Sequence, residues 1–291
     1  MSYLLRGASA DGSIRIFAAD STQLVEKARR THGSSPTATA ALGRSLTASA
    51  ILGVMMKGEK DKLTFMIKGG GPIGNIVCVA DSGGIVKGYV SNPSAEAPPK
   101  YPGKLDVGAA VGREGSLTII RDLGLKEPYS GSSPLVNGEI AEDLTAFLAI
   151  SEQQPSAVAL GVLVDRDCFV RAAGGFIVQL MPDAAEESVG LLERNLGEIS
   201  SISHQIERGK KPEDIISLVL KGLQPKIYGR TKIDFLCDCS KERIEQVFIS
   251  LGREELHDMI EKDGKAEVVC HFCNTRHLFT REELEKIGAR L

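Results

Sequence analysis

Four of the six cysteines in this chain stand close enough in sequence to act together. Cys237 and Cys239 are separated by one residue and Cys270 and Cys273 by two, with thirty residues between the pairs. Thiolates are soft ligands, and four of them fill the tetrahedral shell of Zn²⁺. The spacing suits that use. Residues i and i+2 of an extended segment point to one side, so "DFLCDCS" can aim both thiols at one ion, as a helix could not. Cys270 and Cys273 sit across a turn, the way a hairpin presents two ligands. Zinc ribbons commonly carry two C-x-x-C pairs, and the C-x-C here departs from that habit.

Clustered thiols also oxidise. An i to i+2 pair in extended chain lies near the upper limit of disulfide Cα separation, ~6.8 Å. A Cys237–Cys239 bond therefore needs a bend and is easily reduced. Cys270–Cys273 could close across its turn with less distortion. Oxidation would destroy the ligands and remove the energy that folds a short unit. Spacing alone leaves a permanent structural site and a reversible switch both open. His271 and His277 lie beside the second pair, but four cysteines already complete the shell, so both read as partly exposed hairpin side chains. Cys78 and Cys168 stand in apolar strand contexts and read as inert core thiols.

The elements that must position these groups follow from periodicity. In the last unit, "SKERIEQVFISLG" and "REELHDMIEKDG" read as short helices closed by Gly252 and Gly264. "KAEVVCHFCNTRHLF" reads as a hairpin turning at His271 to Asn274. Thr280 and Glu283 have capping-box spacing at the start of "TREELEKI". Upstream, "DAAEESVGLLERNLGEISSISHQIERG" predicts a helix capped by Asp183 and stopped at Gly209. Its apolar residues Val189, Leu192, Leu196, Ile199, Ile202 and Ile206 form one stripe. "KPEDIISLVLKGL" predicts a second helix. The first 180 residues mix helices, including one capped by Ser35 with Pro36 at its first position, with antiparallel strands from Lys62 onward. The expected fold class is α+β: a mixed core domain with an antiparallel sheet over 1–180, a helical linker over 181–231 and a small zinc-binding unit over 232–291.

Composition narrows the function classes. The chain has 291 residues, 42% hydrophobic and 25% charged, with a formal net charge of -3. That is ordinary globular composition without a basic field for nucleic acid or an anionic membrane. From Thr231 to Leu291, ten Lys and Arg face thirteen Asp and Glu, a poor phosphate-binding surface. The longest near-apolar run, "ASAILGVMM", is far short of the roughly 20 residues that span a bilayer. "MSYLLRGASADG" has no signal pattern, and a cytoplasmic protein is expected. "GGGPIG" matches a dinucleotide fingerprint by letter, yet a strand follows it, so it reads as a hairpin turn. "DSGG" likewise falls between strands. No catalytic constellation emerges, and an enzyme is not expected.

The chain closely resembles the redox-regulated chaperone family of bacterial heat-shock proteins of thirty-three kilodaltons. The resemblance runs through "HGSSPTATAALGR", "GGGPIGNIV", "GYVSNP", "EPYSG", "SEQQPSAV", "AGGFIVQLMP" and the C-x-C/C-x-x-C set. It implies that Cys237, Cys239, Cys270 and Cys273 hold one Zn²⁺ per chain as thiolates in a reduced, inactive state. It implies that oxidants form Cys237–Cys239 and Cys270–Cys273 disulfides, that zinc leaves, and that the C-terminal unit and linker unfold. The implied activity is an ATP-independent holdase of the stress response. It binds unfolding client proteins, forms a homodimer on activation and passes clients to ATP-dependent foldase chaperones. The stripe from Val189 to Ile206 is then the expected client-binding surface, against the commoner fate of such a stripe as permanent core. Two other classes compete: a static zinc-stabilised protein-interaction module, and a thiol oxidoreductase, for which the usual β-α-β context of Cys-x-x-Cys is missing.

Overall fold

The computed structural model describes residues 1–101 and 103–291. Contacts divide the chain into two compact units, Met1–Phe235 and Leu236–Leu291. In the first, the elements run β1 (Tyr3–Ala8), β2 (Ile14–Asp20), α1 (Thr22–His32), α2 (Pro36–Val54), β3 (Lys62–Lys68), β4 (Asn75–Asp81) and β5 (Ile85–Val90). They continue through α3 (Val107–Val111), β6 (Ser116–Asp122), β7 (Tyr129–Pro134), α4 (Ala141–Ile150), β8 (Ser156–Val164) and β9 (Val170–Leu180). Then come α5 (Glu186–Glu198), α6 (Ile202–Glu207), α7 (Pro212–Val219), β10 (Lys226–Lys232) and β11 (Asp234–Phe235). The second unit holds α8 (Lys241–Leu251), α9 (Arg253–Asp263), β12 (Lys265–Val269), β13 (Arg276–Thr280) and α10 (Arg281–Gly288).

The first unit is α+β, as expected. One sheet orders its strands β10-β1-β2-β9-β8, the other β11-β5-β4-β3-β6-β7. Every pairing is antiparallel except the short β11–β5 contact. Helix α2 packs against strands of both sheets and is buried almost throughout. Its small residues allow close approach. Its buried Ser45, Thr47 and Ser49 donate to the carbonyls of Ala41, Gly43 and Ser45, so these three hydroxyls are satisfied within the helix. Ser35 accepts from Ala38 N–H and Pro36 opens the helix, as the sequence predicts. "GGGPIG" is the β3–β4 hairpin turn.

The five-stranded sheet is covered on both faces, following the side-chain alternation of its strands. Leu4, Phe17, Ala19 and Ile177 face the α2 core. Leu5, Ile14, Ile16, Ala18, Phe176 and Val178 face a second apolar cluster completed by α5, α6 and α7. The docking of α6 depends on two glycines. Gly161 and Gly174 are cross-strand partners on β8 and β9. A Cβ at Gly161 would lie 2.7 Å from Ile202 Cγ2, and one at Gly174 would lie 2.4 Å from Ile206 Cδ1.

The structure corrects several sequence expectations. The single helix predicted from Asp183 to Gly209 starts at Glu186 and breaks after Glu198, where Ile199 turns extended with ψ 112°. Ser200 and Ser201 follow, and serines compete with the helix for backbone groups. The stretch 181–231, read as helical, ends in strand β10, which pairs with β1 at the sheet edge. Cys78 is fully buried, with its thiol pushed up to about 12 by burial. Cys168 is not core: it is half-buried in the turn between β8 and β9, with φ 64°.

Candidate metal centre

The second unit is built around a small core of Ile244, Phe248, Leu256, Ile260, Phe279, Leu284 and Ile287. Phe248 and Phe279 meet edge to face at 5.0 Å. Its helix ends follow the sequence. Ser240 accepts from Arg243 N–H to start α8, and Gly264 closes α9 in the left-handed conformation. Thr280 and Glu283 form the predicted reciprocal capping box on α10. Seven buried apolar residues are little for an independent fold, and a bound ion would add substantially to them.

Two segments bring the thiols together. The irregular stretch before α8 carries Cys237 and Cys239. The β12–β13 turn carries Cys270 and Cys273. That turn is held by Cys270 N–H donating to Thr275 O at 3.0 Å and Asn274 N–H donating to Cys270 O at 2.8 Å. Asn274 takes the left-handed conformation that closes it, φ 56°, a role asparagine tolerates well. The ligand atoms of the four cysteines all lie within 4.8 Å of one another. Cys237 Sγ is 3.7 Å from Cys270 Sγ, and Cys239 Sγ is 3.3 Å from Cys273 Sγ. Four thiolates at a Zn–S distance of ~2.3 Å stand about 3.8 Å apart in a tetrahedron. The cluster therefore has the size of a tetrahedral thiolate shell, and none of its cysteines is disulfide-bonded.

The thiols are unlike one another. Burial raises Cys239, and hydrogen bonding to the neighbouring thiols raises it further. Burial also raises Cys237. Burial opposes ionisation of Cys273 too, but hydrogen bonds from the Thr275 side chain and backbone outweigh it and bring that thiol down to about 7. Thr275 Oγ1 lies 3.2 Å from Cys273 Sγ. His277, partly exposed on β13 as expected, also places its Nε2 3.4 Å from Cys239 Sγ, beside the sulfurs. Period-two alternation along β13 hides that neighbour, because nothing local in sequence relates His277 to Cys239.

The proposed stripe lies in the first unit. Leu192 and Ile202 are buried in the cluster on the outer face of the five-stranded sheet. Leu196, Ile199 and Ile206 pack against it, partly buried. Val189 is half-buried on α5. Asn195, also buried, donates to the carbonyls of Val219 and Lys221 at 3.0 and 2.8 Å and so ties α5 to the end of α7. Helix periodicity does not reveal this tie. Among the described residues, no helix is long and apolar enough to cross a membrane.

Comparison with known proteins agrees across the whole chain. The family model described as Hsp33 protein matches residues 2–280. The 33 kDa chaperonin of Clostridioides difficile is 53% identical over 285 residues, covering 98% of this chain and 98% of the relative. That of Bacillus subtilis is 49% identical over 285 residues, covering 98% and 97%. The crystal structure of the 33 kDa chaperonin (heat shock protein 33 homolog) of Thermotoga maritima superposes with a TM-score of 0.90 at 39% identity, covering 99% of this chain and 98% of that one.

Proposed function

The chain belongs to the Hsp33 family, and from that premise we propose that it is a redox-regulated, ATP-independent holdase rather than an enzyme. The observation that carries the proposal is the convergence of Cys237, Cys239, Cys270 and Cys273 on a tetrahedron-sized cluster within a unit of small apolar core. Zn²⁺ is the ion this donor set fits best, and when bound it supplies folding energy and holds the thiols as thiolates. In the reduced state the four thiolates join the stretch before α8 to the β12–β13 turn.

Oxidation undoes that joint. Each near pair of thiolates gives two electrons to one peroxide, which takes up two protons from solvent and leaves as two waters, and the two sulfurs become a disulfide that no longer binds metal. Disulfides within the near pairs leave the two segments untethered, whereas a cross pair such as Cys239–Cys273 would keep them tied. Near-pair bonding is the pattern that the family resemblance implies, and it is the one that frees the two segments from each other. The family resemblance implies that α5–α7 unfold along with the second unit. Their release bares Leu192, Ile202 and their neighbours, together with Ile14, Ile16 and Phe176 on the sheet. These surfaces hold unfolding clients in the cytoplasm, with dimerisation on activation and later transfer to ATP-dependent foldases.

The test is suppression of citrate synthase aggregation by the full chain before peroxide at mild heat, after it, and after dithiothreitol. Suppression that appears with peroxide and fades on reduction supports the proposal. A chain that only unfolds, without suppression, is a static zinc-stabilised module.

A further inference from the structure

Strand β8, "SAVALGVLV", has the composition of a central strand and the position of an edge. It carries no charged residue and is apolar on both faces, the pattern of strands buried among neighbours. Yet it ends the order β10-β1-β2-β9-β8, with β9 as its one strand partner among the described residues. Most of its residues are only half-buried. Alternate residues of an antiparallel edge strand turn their N–H and C=O groups away from the sheet. Along Ala157–Leu163 these outward groups meet no hydrogen-bond partner among the described residues.

The other edges of the two large sheets are guarded in the usual ways. Strand β10 carries Lys226, Arg230 and Lys232, and its pairing with β1 is bulged. Strand β7 ends in Pro134, and β11 has two residues. Strand β8 has one irregularity, a register shift at Leu163 and Val164. Its edge opens into a cleft of about 570 Å³. All seven residues from Val158 to Val164 line that cleft, which a strand seen by one face could not do. Across it stand Arg44, Glu139, the start of α4 at Ala141 and Glu142, and the link from Ile199 into the first turn of α6. Arg44 is paired with Glu139 at 2.7 Å, but its buried Nε has no hydrogen-bond partner among the described residues.

We propose that the open edge of β8 takes an extended, apolar segment of an unfolding protein as an added strand. The proposal rests on the holdase reading above and names how that activity grips its clients. The occupant follows from the chemistry offered. Unpaired main-chain donors and acceptors recognise any extended backbone regardless of sequence, and the apolar side chains of β8 favour apolar neighbours. Seven residues of ladder extend about 20 Å. The link from Ile199 into α6, part of the segment that the holdase reading releases, borders the cleft.

The test uses the full-length, peroxide-treated chain and an eight-residue Val- and Leu-rich peptide that suits strand pairing. Two N-methylated versions remove the amide donors from one edge of the peptide or from the other. Strand addition predicts that methylating one edge weakens binding roughly tenfold or more while the other edge tolerates it. Hydrogen exchange on the complex should show new protection at alternate amides of Ala157–Leu163. Aggregation suppression is measured on the same sample. Suppression with no difference between the methylated peptides and no new protection on β8 overturns strand addition and leaves the holdase standing. Protection of β8 that appears without peptide and grows with protein concentration assigns the edge to a second copy of the chain and also overturns it. Absence of both suppression and peptide binding overturns the two readings together.

Discussion

Replacing Gly161 with alanine should loosen α6 without altering a metal ligand or the stripe. The three atoms nearest the new Cβ would be Ile202 Cγ2 at 2.7 Å, Ser203 N at 2.8 Å and Ser203 Cβ at 3.0 Å, all in α6. Ordinary carbon contacts begin near ~3.5 Å, so α6 must withdraw by somewhat under about 1 Å. Ser203 N belongs to the backbone and cannot be relieved by a rotamer change. Overpacking of this kind costs ~1–3 kcal/mol. Charged against the docked state alone, that raises the undocked fraction roughly five- to hundredfold. Limited proteolysis of the reduced chain reads this directly as faster cleavage within residues 186–220. Aggregation suppression reads it as activation at lower peroxide or milder heat. If Gly161→Ala leaves cleavage and the activation threshold both unchanged, the docking of α6 does not hold the chain inactive and the reasoning fails.

Other perturbations bear on the same scheme. Gly190 and Gly197 lie inside α5 with open space where a Cβ would go, so alanine at either should strengthen the helix by ~0.5–1 kcal/mol. Slower proteolysis and a higher activation threshold are expected, and an unchanged threshold would mean α5 is not limiting. Leu196→Asp places a charge in the partly buried stripe and should weaken client holding by the oxidised chain; undiminished suppression of citrate synthase aggregation would remove the stripe from the holding surface. Glu26 is held at about 2, below its ordinary value near 4.5, chiefly by the Arg29 hydrogen bond, with help from Val170 N–H and Arg30. A depressed carboxylate stabilises above its unfolded pKa, so this contribution is present above pH ~4.5 and is lost as pH falls toward ~2. Tm of Glu26→Gln should fall less steeply than that of the parent across this window, and parallel curves would contradict the assignment.

The cysteine cluster was legible because the spacing of potential ligands is local chemistry. C-x-C before a capped helix and C-x-x-C across a turn specify where thiols can point, and the structure brings all four together. Helix boundaries marked by strong local signals were legible too: Ser35 with Pro36, Gly252, Gly264, and Thr280 with Glu283. What remained hidden depends on distant partners. "KIYGRTK" is polar, exposed and contains glycine, and it becomes β10 only by pairing with β1 from the far end of the first unit. The neighbour of Cys239, His277, arrives through hairpin closure rather than through a motif. Likewise "SAVALGVLV" reads as a buried strand, and only the sheet order shows that its second neighbour is missing.

Coupling of the four thiols to client holding can be read on a single sample. Released zinc, free thiols and citrate synthase aggregation suppression are followed together on one sample of the full chain during peroxide treatment at mild heat. The account predicts that one zinc per chain leaves as four thiols disappear and that holding activity rises on the same time course. Zinc retained while activity rises, or zinc lost with no activity, would contradict it.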